Sequence, residues 1–353
     1  MKNFKVSTML THKQRVVQAI QEEELDRLPA QISFTPEMSR KISNYLGVSE
    51  GELFRKLDNH MVVVSLDDTR KVDKEKGIRY DNWGIGWDMG KLTEGFLIRE
   101  HPLEKLSTLK KYHPPDPEEE KLFHSSKKAI KKYGKEYFTL SDQGWCMFEK
   151  AHCLRGFEKT LIDLTLNREF IENLLDLILE YQIVIAKRFV KLGVDGGYTG
   201  DDFGSQNGLL FSPKMWREVF KPRYKKLWGV FKEAGLPVFH HSCGDIREIL
   251  PDMIEIGLDV LNPVQPQAMP IEELANKYGK DLTFWGGISV QKTLPFGTSQ
   301  EVEKETYESI QILGRYNKYI VGPSHDMTSD ISMENFDAMI NSIQKYNILS
   351  GQK

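Results

Sequence analysis

The chemistry open to this chain is concentrated in short runs where polar residues close an apolar, strand-like stretch. Val238-Phe239 leads into His240-His241-Ser242-Cys243. Side chains alternate across an extended backbone, so His241 and Cys243 share one face while His240 leaves the other. An imidazole and a thiolate presented together are donors that zinc prefers. The bland reading of the same pair is a packed histidine and an inert buried thiol. His325, in Ser324-His325-Asp326, closes the last such run and offers a third donor, or else a solvated or helix-capping ring. Three protein ligands would leave a fourth position open, which is the pattern of catalytic zinc. Asp201-Asp202 reads either as an acid–base pair or as capping residues of a turn. Tyr198, Asn262, Gln265 and Trp285 stand at the ends of neighbouring runs and are the candidate substrate contacts. His152 and Cys153 are read as structural.

These residues need elements that bring them to one rim. From residue 190 onward, strand-like runs at 197–200, 238–241, 260–262, 282–285 and 319–321 alternate with helical stretches. Five strands each followed by a helix imply parallel pairing. Upstream, 28–34, 60–66 and 137–140 add three more. Eight such units predict a single α/β domain over 1–353, a (β/α)8 TIM barrel with an N-terminal extension; a doubly wound sheet is the alternative. No Gly-x-Gly-x-x-Gly or P-loop supports that alternative. Residues 78–89, rich in Gly and Trp, read as a β-hairpin insertion, and the Pro-rich 113–117 is too short to separate domains. The helix after Ser212-Pro213 is expected to run to Gly235, kinked at Pro222. In a barrel the active site lies at the C-terminal ends of the strands, where the polar runs fall.

Composition narrows the function classes. The 48 Lys+Arg against 51 Asp+Glu leave no basic stripe for nucleic acid. No apolar run approaches the ~18 residues a spanning helix needs, and Met1–Gln14 lacks the apolar core of a secretory signal. With an odd count of 3 cysteines, a reducing cytoplasm is expected rather than a disulfide scaffold.

The chain resembles the uroporphyrinogen decarboxylase superfamily. Lys13–Ile20 with Asp26-Arg27-Leu28-Pro29 resembles its N-terminal pattern. His241-Ser242-Cys243-Gly244, Gly257–Asn262, Gly286-Gly287-Ile288, Gly322–His325 and Glu334–Met339 resemble its C-terminal half. The resemblance implies a TIM barrel and leaves two enzymatic branches. The decarboxylases carry an arginine-containing motif that grips substrate carboxylates, where this chain has Ser33-Phe34-Thr35-Pro36-Glu37-Met38, with Arg40 and Lys41 the nearest substitutes. The corrinoid-linked methyltransferases carry a His-x-Cys and a later Cys that bind zinc; His241 and Cys243 match, and His325 stands where the second Cys is expected. The implied function is a zinc-dependent methyltransferase exchanging a methyl group with the corrinoid of a separate partner protein; His325 in place of a second thiolate would leave the zinc cationic, which points to a methyl ether as the donor. The sequence has no cobalamin-carrying Asp-x-His-x-x-Gly. In this reading His241, Cys243 and His325 hold zinc, and Asp202 or Asp201 serves as acid. The alternatives are a metal-free porphyrinogen-type decarboxylase and a non-catalytic small-molecule-binding barrel.

Overall fold

The computed structural model describes residues 10–67, 71–89 and 97–350. Of the N-terminal stretch read for a secretory signal, the part up to Met9 lies outside the described residues. The protein is mixed α/β and forms two compact units. One comprises Met1–Val62, Lys132–Thr139 and Asp259–Lys353, the other Val63–Lys131 and Leu140–Leu258. Numbered in chain order, the strands are β1 (Met61–Val64), β2 (Lys71–Asp73), β3 (Ile78–Tyr80), β4 (Gly86–Asp88), β5 (Ile98–Glu100), β6 (Phe138–Trp145) and β7 (Gly196–Gly200). They continue with β8 (Gly204–Ser205), β9 (Gly208–Leu209), β10 (Val238–His241), β11 (Val260–Val264), β12 (Thr283–Ile288) and β13 (Tyr319–Pro323).

In the first unit β11, β12 and β13 run parallel, with Leu261 opposite Phe284 and Phe284 opposite Tyr319. All their residues are buried, as in parallel strands covered on both faces. The sequence predicts a further strand over 28–34. The structure instead has isolated parallel bridges, Ala30 to Val321 and Phe34 to Met327. Pro29 has no N–H for a ladder, and side-chain amides stand in for strand partners. Asn59 Oδ1 accepts from Ile32 N at 2.7 Å and Gln31 Oε1 from Met61 N at 2.9 Å. The segment still lies between β13 and the approach to β1. Gln31 N donates to Val321 O at 2.8 Å and His60 N to Ala30 O at 3.0 Å.

In the second unit β6, β7 and β10 run parallel, Ser141 facing Gly197 and His241 facing Gly200. β1 and β6 begin in the first unit and continue into the second. The helix Arg168–Leu192 buries Ile171, Leu174, Leu175, Ile178, Ile185 and Phe189, the apolar positions that helical spacing predicts for one face, while Leu192, which the same spacing adds to that face, is only half-buried in the last turn. The helix expected from Ser212 to Gly235 is two helices, Pro213–Val219 and Lys221–Glu233. Pro222 lacks the N–H and crowds the preceding turn, so the chain restarts there rather than bending. The second helix packs closely on β7, since a Cβ at Gly197 would lie 2.5 Å from the Phe231 ring. β2 to β5 form an antiparallel sheet of their own, in which β3 and β4 are the middle strands.

Candidate functional site

His241 is the last residue of β10, and Asp201 N donates to its carbonyl at 3.0 Å, extending the β7–β10 ladder. Beyond it the chain is pinned against the β8–β9 ribbon. Gly244 sits at φ +80°, where a Cβ would be 2.3 Å from the Gly204 carbonyl carbon. Asp245 N donates to Ser205 O at 2.8 Å, and Phe203 N to Ser242 Oγ at 3.1 Å. The turn brings Cys243 Sγ to 3.5 Å from His241 Nε2. The Tyr198 hydroxyl is 3.2 Å from Nδ1 of the same ring. Asp202 Oδ1 accepts from Cys243 N at 2.8 Å and lies 3.8 Å from His241 Nε2. A half-buried imidazole, a half-buried thiol, a phenol and a carboxylate thus converge, and the first two have the donor chemistry of a zinc site.

His240 belongs to the core. It is fully buried, its Nδ1 is 2.9 Å from Thr199 Oγ1, and its ring lies over Phe203. Burial pulls its pKa down to about 3, so it is neutral. Phe203 is completely buried beside it.

The two adjacent aspartates have different situations. Asp202 reaches Cys243, whereas Asp201 is wholly buried at the start of the helix Phe148–Arg155. Its Oδ2 accepts from Met147 N and Phe148 N at 2.9 Å each and from the Tyr224 hydroxyl at 2.5 Å; its Oδ1 accepts from Glu149 N at 2.8 Å. The carboxylate thereby satisfies three open N–H groups at the helix start. Sequence reading passed over Glu149. Burial first, then the neighbouring Asp201 and Asp202 carboxylates, push its carboxyl far above the usual range, against a hydrogen bond from Asp202 N. Burial pushes Asp201 upward as well, but four donors aimed at its oxygens hold the charge there, so the proton rests on Glu149. The signal available in the sequence was weak: an acidic residue in the first turn of the helix after a polar strand end.

Trp145 lines a cavity of about 320 Å³ in the second unit with Trp87, Arg79, Asp142 and Lys150. Cys153 is buried, which pushes its thiol up to about 12, and His152 is held down to about 4 by burial. In the first unit, Asn262 and Trp285 are buried and touch, Asn262 Nδ2 donating to Trp285 O at 3.4 Å. Gln265 is buried just beyond β11, and His325 is exposed just beyond β13.

A family model described as uroporphyrinogen decarboxylase (URO-D) matches residues 78–346. A methylated-thiol–coenzyme M methyltransferase of Methanosarcina mazei is 26% identical over 136 residues, 38% of this chain; the match spans about a third, 34%, of that protein. A solved methyltransferase structure from Methanosarcina mazei shares the fold, with a TM-score of 0.73 at 19% identity over 96% of this chain and 99% of that one.

Proposed function

We propose that this chain, which belongs to the uroporphyrinogen decarboxylase family and stands with its methyltransferase branch, is a zinc-dependent methyltransferase that passes a methyl group from a methyl ether to the corrinoid of a separate protein. In this reading the parallel segments of both units form one (β/α)8 barrel domain with β2–β5 as an insertion. The observation that carries it is the convergence of Cys243 Sγ and His241 Nε2 at 3.5 Å. The surroundings suit a metal there. Tyr198 engages Nδ1 and fixes the ring so that Nε2 faces the thiol, as a hydrogen bond to the other ring nitrogen does for zinc-bound imidazoles. His325 is the third ligand. Zinc held by one thiolate and two neutral imidazoles supplies a net positive Lewis acid, suited to polarising an ether oxygen more than to keeping a thiolate nucleophilic. The partner's corrinoid supplies the methyl-accepting nucleophile.

The chain's own residues do the rest. Tyr198, Asn262, Gln265 and Trp285 contact the methyl donor. Asp202 orients Cys243 through its backbone N–H, and Glu149 stores, next to Asp202, the proton that a departing alkoxide or phenolate takes up. Asp201 acts as a positioning residue, fixing the helix that carries Glu149. The decarboxylase alternative loses its nearest cations. Arg40 pairs with Glu37 at 3.2 Å, and Lys41 donates to the carbonyls of Ser329 and Ile331 at 2.9 and 2.7 Å.

A methylated thiol is the second reading of the donor, favoured by the relative from Methanosarcina mazei. The test incubates zinc-loaded protein with a reduced corrinoid protein and a panel of methoxyarenes and methyl thioethers, and separately with methylcobalamin and thiols. Ether cleavage, lost in His325→Cys while zinc stays, is expected. Thioether cleavage alone would replace the ether reading, and steady production of coproporphyrinogen from uroporphyrinogen would overturn methyl transfer.

A further inference from the structure

A second group of donor atoms lies in the first unit, among residues the proposed activity does not use. His12 opens the helix His12–Gln21, and Asp58 and His60 precede β1. His12 Nε2 is 2.9 Å from Asp58 Oδ1, and its Nδ1 is 2.8 Å from Glu136 Oε1. The His60 ring is fully buried and meets the His12 ring edge-on, with centroids 4.8 Å apart. Its Nδ1 lies 2.8 Å from Asp58 O and 3.2 Å from Ala30 O; Ala30 N approaches the same atom at 3.2 Å. Two carbonyls against one N–H place the ring hydrogen on Nδ1. The lone pair is therefore on Nε2, and that atom is buried with no hydrogen-bond partner among the described residues. One donor atom from each of His12, Asp58 and His60 lies within 4.8 Å of the other two.

We propose that His12, Asp58 and His60 form a second metal site, for a divalent transition cation such as zinc, fastening the first helix to the chain ahead of β1. Both imidazoles have Nδ1 tied to an oxygen, the outer-shell arrangement that orients metal-ligating histidines. A buried imidazole nitrogen without a partner carries an unrecovered desolvation cost, which coordination removes. Zinc–nitrogen bonds of about 2.0–2.1 Å set tetrahedral ligands roughly 3.4 Å apart. The His12–Asp58 pair therefore opens slightly and His60 closes in. Two nitrogen donors of three argue against calcium or magnesium. Asp58 and Glu136 offset Arg27, whose Nη1 holds the other Asp58 oxygen at 2.5 Å. The His12 side chain is 21% exposed, which gives the cation access.

The test uses tag-free, metal-stripped full-length protein carrying His241→Ala and Cys243→Ser, titrated with Zn2+ against a chromophoric chelator. One equivalent per chain is expected. His60→Leu and Asp58→Asn should each weaken it at least about 10-fold, with the circular dichroism in chelator unchanged. If His60→Leu fails to fold, His12→Gln tests the same site from its exposed side. Cobalt in place of zinc should give ligand-field bands without a thiolate charge-transfer band. Absence of zinc binding, binding that none of these variants weakens, or a thiolate band would overturn the proposal.

Discussion

Replacing Gly244 with alanine adds one methyl group to the turn that carries Cys243, and its surroundings set the cost. At φ +80° an L-residue loses about 1–2 kcal/mol. The new Cβ would stand 2.3 Å from the Gly204 carbonyl carbon, 2.5 Å from its oxygen and 2.6 Å from Ser205 O. Ordinary carbon contacts begin near ~3.5 Å, so the loop must retreat by about 1 Å. Overpacking of this kind costs a further ~1–3 kcal/mol, for an expected loss of about 2–5 kcal/mol. His241 is held by its ladder to β7 and stays, while Cys243, next to the substituted residue, moves with the loop. A shift of about 1 Å is enough to undo a preorganised site, and zinc affinity should fall at least ~10-fold. Gly208→Ala is the control. It too has a left-handed φ, +137°, but no atom of the described residues lies within 4 Å of a Cβ there, so it carries backbone strain alone. Urea melts in chelator read the stability, and chelator competition reads the zinc. Wild-type stability in Gly244→Ala would show that the turn is not pinned; lowered stability with wild-type zinc affinity would show that Cys243 is not a ligand alongside His241.

Tyr224→Phe removes one of four donors to the buried Asp201 carboxylate and should cost about 1.5–3 kcal/mol in urea unfolding. His240→Ala should keep zinc, by atomic emission, while losing about 2–4 kcal/mol of stability; metal loss equal to that of His241→Ala would mean the two side chains do not alternate as described. Glu149→Gln should flatten the pH dependence of stability. The folded chain keeps the Glu149 proton that the unfolded chain releases near 4.5. Wild-type stability therefore falls as pH rises from there through neutrality. The Gln variant has no proton to release, so its urea midpoints at about pH 5 and about pH 8 should differ less than those of the parent; an equal slope would place the proton elsewhere.

Where sequence reading succeeded, a local rule carried the information. The opposite fates of His240, fully buried, and His241, half-buried at the strand end, follow from the two-residue period of a strand. The buried stripe of Arg168–Leu192 follows from the helical period. The shortfalls are places where partners distant in sequence decide. Residues 28–34 have a strand's composition, yet Pro29 and the side chains of Gln31 and Asn59 replace a ladder with bridges and amide contacts. Asp201 and Glu149 show the same limit at the site. An Asp-Asp pair at a strand end attracts attention as acid–base chemistry, but Tyr224 and the helix beginning at Phe148 supply four donors that hold Asp201 as a carboxylate. That fixed charge, in a buried setting, is one reason Glu149 keeps its proton. The residue that looked catalytic therefore acts on its neighbour: by spending its own charge on the helix start, Asp201 leaves Glu149 as the neutral acid beside Asp202.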